Sequence, residues 1–495
     1  MQRTRKTLWP LLFVLLICNP RQNIAQEGQD AQQEKVRKLQ DQLDQLRQQM
    51  TQIQTELDAL SGEKLPKSGA IETTSPPPPP MLPTLPLVSE KDQDRAAQEA
   101  TRQHQTFGQD EEDAPRLYNA PLEIDLPGFF HLPGTQTMLK LDGSIRTDLI
   151  YDPTTTGLPD SFITSSIPIP RVSGSDFNTS IRGSRFMTDF RIPIGQTGQV
   201  RTFMQLDFFG PNGTTAPRLR HFYAQLDNLL VGQTFSNFMD PDAFPDTIDT
   251  QGPNAGISVR VPQVRYGFGF GKGSSLYLSL ETPSSNIDFL VDGEPATAKT
   301  PAPDGTVRFH QEWERGHVQL AADFRDLSAK LPEGLGTESV FGWGLNATSE
   351  ISVAGLDTAV FQVAYGDGMS RYVSDTAGLN MDAAPKSDTN LSLRALPLFA
   401  TYGSYQHYWT PSFRSNATFS FVQLSNTEFQ PISTYHKATY SSANMIWNPL
   451  GTLDLGVEFL YGWVEDKGGF HSEVPRVQFT GRYTFVKLHK EEHAP

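Results

Sequence analysis

Between residues 137 and 485, apolar and polar residues alternate with period two, and no helical segment intervenes to cover the apolar faces. The last stretch is the clearest. Val477, Phe479, Gly481, Tyr483 and Phe485 share one face, while Arg476, Gln478, Thr480, Arg482 and Thr484 share the other. Successive side chains of a strand point to opposite faces, so the repeated pattern builds a large sheet with one apolar and one polar side. A soluble sheet hides its apolar side under another layer, which nothing in this chain can supply. The pattern predicts an all-β transmembrane barrel of antiparallel strands, closed and facing lipid. About sixteen alternating segments precede Val486, enough for a cylinder with an aqueous lumen. Phe479, Tyr483 and Phe485 end the closing strand with the aromatics that such barrels carry as an assembly signal.

Hydrophobic residues make up 37% of the 495 and the mean hydropathy is negative, which excludes a bundle of membrane helices. Gly 39 and Phe 31 are high counts, as short turns and lipid-facing aromatics require. A net charge of −15 with no basic patch argues against nucleic acid as a partner. Arg3, Arg5 and Lys6 followed by the apolar run 8–17 read as a signal peptide, residues 1–25, cleaved after Ala25. Cys18 raises the alternative of a lipoprotein, against which bulky Ile17 stands. Cleavage leaves no cysteine in the mature chain, which suits passage through an oxidising periplasm.

Residues 26–62 carry an apolar seam of Val36, Leu39, Leu43, Leu46, Met50, Ile53, Leu57 and Leu60. The spacing alternates three and four without error, the a/d pattern of a coiled coil. Gln, Asp, Lys and Arg flank the seam, so the helix is expected to associate with copies of itself in the periplasm; an isolated helix lying on the barrel mouth is the alternative. Mixed a and d residues leave the oligomeric state open. Residues 63–120 read as a linker, with prolines 76–80, 83 and 86 extended as polyproline II. The barrel is expected over 121–495. Short turns are expected at 195–198, 271–273, 315–316 and 448–449, and long connections near 152–176, 210–217, 283–304, 367–388 and 466–472, the asymmetry of outer-membrane barrels.

Signals for chemistry are weak. The run from Gly267 to Ser274 lacks the spacing of a phosphate-binding loop and lies between strands. His489, Glu491, Glu492 and His493 are too loosely spaced and too near the terminus to nominate a metal site. No nucleophile motif or carboxylate pair nominates an enzyme, and no cofactor is expected. The lumen face is where charge collects. Alternation places Arg146, Arg185, Arg191, Arg201, Arg260, Arg265 and Arg308 inward, with Lys140, Arg325, Arg476 and Arg482, and Pro262 is expected to mark a bulge. Inward arginines solvate a pore or pair with Asp142, Asp189, Asp207 and Asp323; in excess they select anions. After a short fifth strand, residues 237–257 contain Asp240, Asp242, Asp246 and Asp249, a loop expected to fold inward and constrict the barrel.

Arg218-Leu-Arg-His-Phe-Tyr-Ala-Gln-Leu, Leu230-Val-Gly-Gln-Thr-Phe-Ser-Asn-Phe-Met-Asp240, Pro245-Asp-Thr-Ile-Asp249, Gly252-Pro253 and Tyr405-Gln-His-Tyr-Trp-Thr-Pro-Ser-Phe-Arg-Ser415 resemble the DcaP-like porin family, as does a heptad helix ahead of a barrel. The resemblance implies a homotrimeric sixteen-stranded porin of the bacterial outer membrane with a periplasmic coiled coil, taking up anionic aromatic or aliphatic dicarboxylates. The long proline-rich linker and the ten residues after Phe485 depart from the family. Small anionic solutes and the lipid bilayer are thus the expected partners. Two alternatives stay open: a weakly selective general porin, and a structural protein tethering the outer membrane to the cell wall through the coiled coil.

Overall fold

The structure is a computed structural model and describes residues 128–194, 198–332 and 334–485. The expected signal peptide, heptad helix, linker and C-terminal tail lie outside the described residues. A two-residue strand, Phe130–His131, leads into sixteen barrel strands: β1 Met138–Asp152, β2 Asp176–Ser180 and Arg185–Ile194, β3 Gly198–Asp207, β4 Arg218–Leu226, β5 Leu229–Phe235, β6 Arg260–Phe270, β7 Ser274–Glu281, β8 Asp304–Trp313, β9 Gly316–Lys330, β10 Thr337–Ala354, β11 Asp357–Asp367, β12 Pro397–Thr410, β13 Phe413–Leu424, β14 Tyr435–Trp447, β15 Leu453–Asp466 and β16 His471–Thr484. Each pairs antiparallel with the next, and β16 returns to β1 through pairs such as Leu149↔Phe479. Closure leaves the wall without an open edge. Ser184 bridges the break in β2, its Oγ accepting from the Arg146 amide at 3.0 Å.

Alternation sorts the wall into two surfaces. On β16, Arg476, Gln478, Thr480 and Arg482 are buried inside, while Phe479 and Tyr483 point out, with Phe485 exposed just beyond. Phe177, Phe341, Leu280 and Phe419 stand on the outer face with more than half of their surface exposed. Hiding one such side chain from water is worth about 1.5–3 kcal/mol, and the outer face carries dozens of them. Left wet, they would forfeit more than the roughly 5–15 kcal/mol that stabilises an ordinary domain. The face is therefore built for lipid.

Connections at one end of the barrel are short: 195–197, 227–228, 271–273, 314–315, 355–356, 411–412 and 448–452. The opposite end carries 153–175, 208–217, 236–259, 282–303, 368–396 and 425–434, with two brief links at 331–336 and 467–470. The connection expected to be long at 466–472 is thus a tight turn, while 425–434 is longer than its sequence suggested. Gly316 enters β9 at φ +150°, where a Cβ would collide with the Glu350 carbonyl, so the turn after Arg315 requires glycine.

The interior is not uniformly wet. Phe162 and Ile167 of the first long loop, Phe238, Met239, Ala255 and Ile257 of the third, and Met369, Tyr372 and Val373 of the fifth pack with Tyr402, Val422, Tyr440, Leu460 and Val464 of β12–β15. An apolar core fills this side of the barrel. The lumen is displaced toward β1–β8.

The constricted lumen as candidate functional site

Residues 236–259, the third long loop, leave β5 and fold into the barrel. Ser236 Oγ and the Asn237 amide hydrogen-bond to Glu281 on β7 at 2.7 and 2.8 Å. The loop then follows the inner wall. Gln319 and Asn346 donate to the carbonyls of Met239 and Phe238, each at 3.0 Å, Tyr402 to that of Ala243 at 3.0 Å, Asn444 to that of Asp246 at 2.8 Å and Arg146 to that of Ile248. On the return leg Gln362 holds the Ala255 carbonyl at 2.6 Å. Strands from β7 round to β1 thus anchor one loop.

The loop's aspartates serve these anchors. Asp240 accepts from Thr348 and meets His317 Nε2 at 2.9 Å. Burial opposes its ionisation, but His317, His310 and the Thr348 hydroxyl outweigh that and hold the carboxyl below the usual carboxylate range. Asp246 pairs with Arg414 at 2.7 Å, both side chains almost fully buried, and accepts from Gln406 at 3.1 Å. Asp249 accepts from the amides of Phe162 and Gly252 at 3.2 and 3.1 Å. Burial pushes its pKa up to about 6, against the pull of Arg476, of backbone hydrogen bonds and of Arg146. Asp242 is half-buried beside a small recess that Glu350, Thr358, Ser404 and Tyr408 also line.

The facing wall is different. The inner side of β2–β6 presents Arg185, Arg191, Arg201, Arg220, Arg260 and Arg265, with Arg218 at the rim, against Asp189 and Asp207, with Asp176 also at the rim. Arg191 and Arg201 are register partners and share Asp189 at 2.8 and 3.0 Å. Arg218 and Arg220 share Asp207 at 2.6 and 3.1 Å. Arg260 donates to His221 Nε2 at 3.2 Å and stacks on Phe235. With Nε2 accepting, the imidazole is neutral and its Nδ1 donates to Thr234 at 2.9 Å. Arg185, Arg218 and Arg220 lie close enough to act electrostatically on Arg260. Arg265 donates to Gln263 at 2.9 Å and to the Phe235 carbonyl. Arg308 faces the lumen from β8 over the Tyr277 ring. Elsewhere cations pair closely: Lys140 with Asp142, Arg146 with Asp148, Arg325 with Asp304 and Asp382, Arg476 with Asp152 and Arg482 with Asp454.

Parity alone misplaces part of this. Pro262 marks no bulge: β5 and β6 pair in continuous register through Gln233↔Pro262, with the proline on the outer face. The bulge is on β4, where Gln205 pairs with His221 but Leu206 with Leu219. The extra residue, Arg220, turns inward beside His221, both buried. Strict alternation from outward Phe222 hides Arg220, and a sequence signal for it is lacking. Arg414 and His317 were open to the same parity reading as the nominated arginines.

An antiparallel barrel with an apolar exterior, a charged interior and an inward-folded loop defines a transmembrane β-barrel of the outer-membrane type. The family model for the DcaP outer membrane protein matches residues 131–485, and the chain belongs to that family. The crystal structure of the outer membrane channel DcaP of Acinetobacter baumannii aligns over 73% of this chain and 100% of that chain, with a TM-score of 0.64 and 23% identity, which supports the fold. Porin Omp2b of Brucella suis and of Brucella abortus are each 27% identical over 175 residues, 32% of this chain. The chain spans 43% of the length of these curated relatives.

Proposed function

We propose that the chain is an outer-membrane porin, a passive channel for small anionic solutes such as dicarboxylates. The observation that carries this reading is the imbalance on β2–β6: seven arginines to three aspartates, the rim residues Arg218 and Asp176 included, facing a loop most of whose carboxylates turn toward the other wall. Guanidinium stays charged at any working pH and grips carboxylates bidentately. The Debye length in physiological salt is about 8 Å, so fixed charges lining a constriction act across it. Short turns face the periplasm in barrels of this kind; on this reading residues 26–62 are periplasmic and their heptad seam holds copies together, while the homotrimer rests on the family resemblance. Deleting 26–62 leaves a heat-modifiable barrel and weakens crosslinking between copies.

Replacing Arg185, Arg191 and Arg201 together by Gln tests the proposal. Dicarboxylate uptake and anion permeability fall while surface expression holds; unchanged uptake contradicts it. A weakly selective general porin is the second reading, favoured by Asp242 and Glu350 around the recess beneath the loop. It predicts that the triple variant changes little.

A further inference from the structure

Arg308 stands apart from the other inward arginines of the open wall. Arg191, Arg201, Arg220 and Arg265 each donate to an acceptor of the protein. Arg308 forms no hydrogen bond or ion pair with any described residue, although the side chain is more than nine-tenths buried and its Nε is sealed from solvent. Its one contact is with an aromatic face: the guanidinium carbon lies 3.9 Å from the Tyr277 ring centroid. Ala321 is its register partner on β9 and offers it no side-chain acceptor. Leaving a buried cationic donor without an acceptor is costly, and such a group persists where solvent or a ligand supplies the acceptor.

We propose that Arg308, held against Tyr277, is the carboxylate-docking residue of the lumen. The inference rests on the anion-channel reading and deepens it by choosing among the arginines. The ring fixes the guanidinium before a solute arrives, so little ordering remains to be done on binding. The free edge of the fork matches the two oxygens of one carboxylate. Arg265, close enough to interact with Arg308 electrostatically, adds positive charge while its Nε and Nη2 are held by Gln263 and the Phe235 carbonyl. Glu281, the opposing acid nearby, is engaged by Ser236, Asn237 and Thr306. The other arginines attract anions through their field, whereas Arg308 binds one directly.

The test uses the full-length protein in planar bilayers in KCl, with succinate as the probe. Two quantities are read: apparent succinate affinity from the current it blocks, and the K⁺/Cl⁻ reversal potential. Lysine keeps the charge and loses the fork, so Arg308→Lys weakens succinate affinity about tenfold while the reversal potential keeps its sign. Arg315→Lys, in the exposed turn between β8 and β9, leaves the affinity unchanged. Heat-modifiable migration on gels certifies the barrel in each case; should R308K not give it, R308Q carries the same test. An anion-preferring wild type whose succinate affinity survives R308K overturns the docking role alone, as does one that succinate does not block. A cation-preferring wild type overturns the channel reading beneath it.

Discussion

The two sides of this barrel are built by one alternation rule and end as unlike surfaces. From β9 to β15 the inner wall is roofed by the third long loop, and its buried arginines each meet an acid: Arg414 meets Asp246, and Arg325 meets Asp304 and Asp382. From β2 to β6 Arg191 and Arg201 share Asp189, Arg218 and Arg220 share Asp207, and Arg260 and Arg265 contact His221, Phe235 and Gln263. The difference lies in what the loop brings. Residues 236–259 contain four aspartates and no lysine or arginine, and the loop lays three of them against the far wall. The loop thus neutralises the side it covers and leaves the uncovered side positive.

Breaking the Arg414–Asp246 pair attacks the contrast most strongly. Removing one partner of a buried ion pair costs about 3–5 kcal/mol, so Asp246→Ala releases the loop, raises single-channel conductance and exposes the loop to protease, with the barrel still folded. Exchanging both partners for Leu and Met restores most of the anchoring. A loop that stays protected in Asp246→Ala would show that this pair does not hold it.

Asp189→Asn sharpens the contrast from the other side. It leaves Arg191 and Arg201 without their shared counter-charge, and the reversal potential moves further toward that of a pure anion channel. A shift toward cations would mean that Asp189 orients these arginines rather than offsetting them.

A smaller effect concerns pH. Asp249, with a pKa of about 6 in the folded loop, binds its proton more tightly there than in an unfolded chain, where carboxyls titrate near about 4. Loop anchoring is therefore strongest below the unfolded value, weakens as pH rises through the interval to about 6, and is flat above it. Proteolysis of the loop across that interval reads the slope, and Asp249→Asn removes it. Smallest of all is Lys140→Gln, since its pair with Asp142 at 3.3 Å sits in partly hydrated surroundings and is worth about 0–1 kcal/mol.

The wall was legible because lipid and water impose period two on every strand, so Arg476 and Arg482 could be placed inward and Phe479 and Tyr483 outward from residue order alone. The inward course of 236–259 was legible from its acids and prolines after a short strand. The filling of the interior was not. Phe162 and Ile167 of the first long loop and Tyr372 of the fifth lie in stretches without periodicity, and ring contacts such as Phe162–Tyr440 and Phe238–Tyr372 join residues far apart in the chain. Arg220 was lost to a bulge that no residue type announces. The division of aspartates among arginines depends on distances, which residue order does not contain.

Wild-type reversal potential in a planar bilayer under a KCl gradient tests the central claim most directly. An excess of guanidinium on β2–β6 predicts that the zero-current potential lies on the chloride side and moves toward zero as salt rises and screening shortens the reach of the wall. A potential on the potassium side would contradict the account and transfer the selectivity to Asp242, Glu350 and the loop.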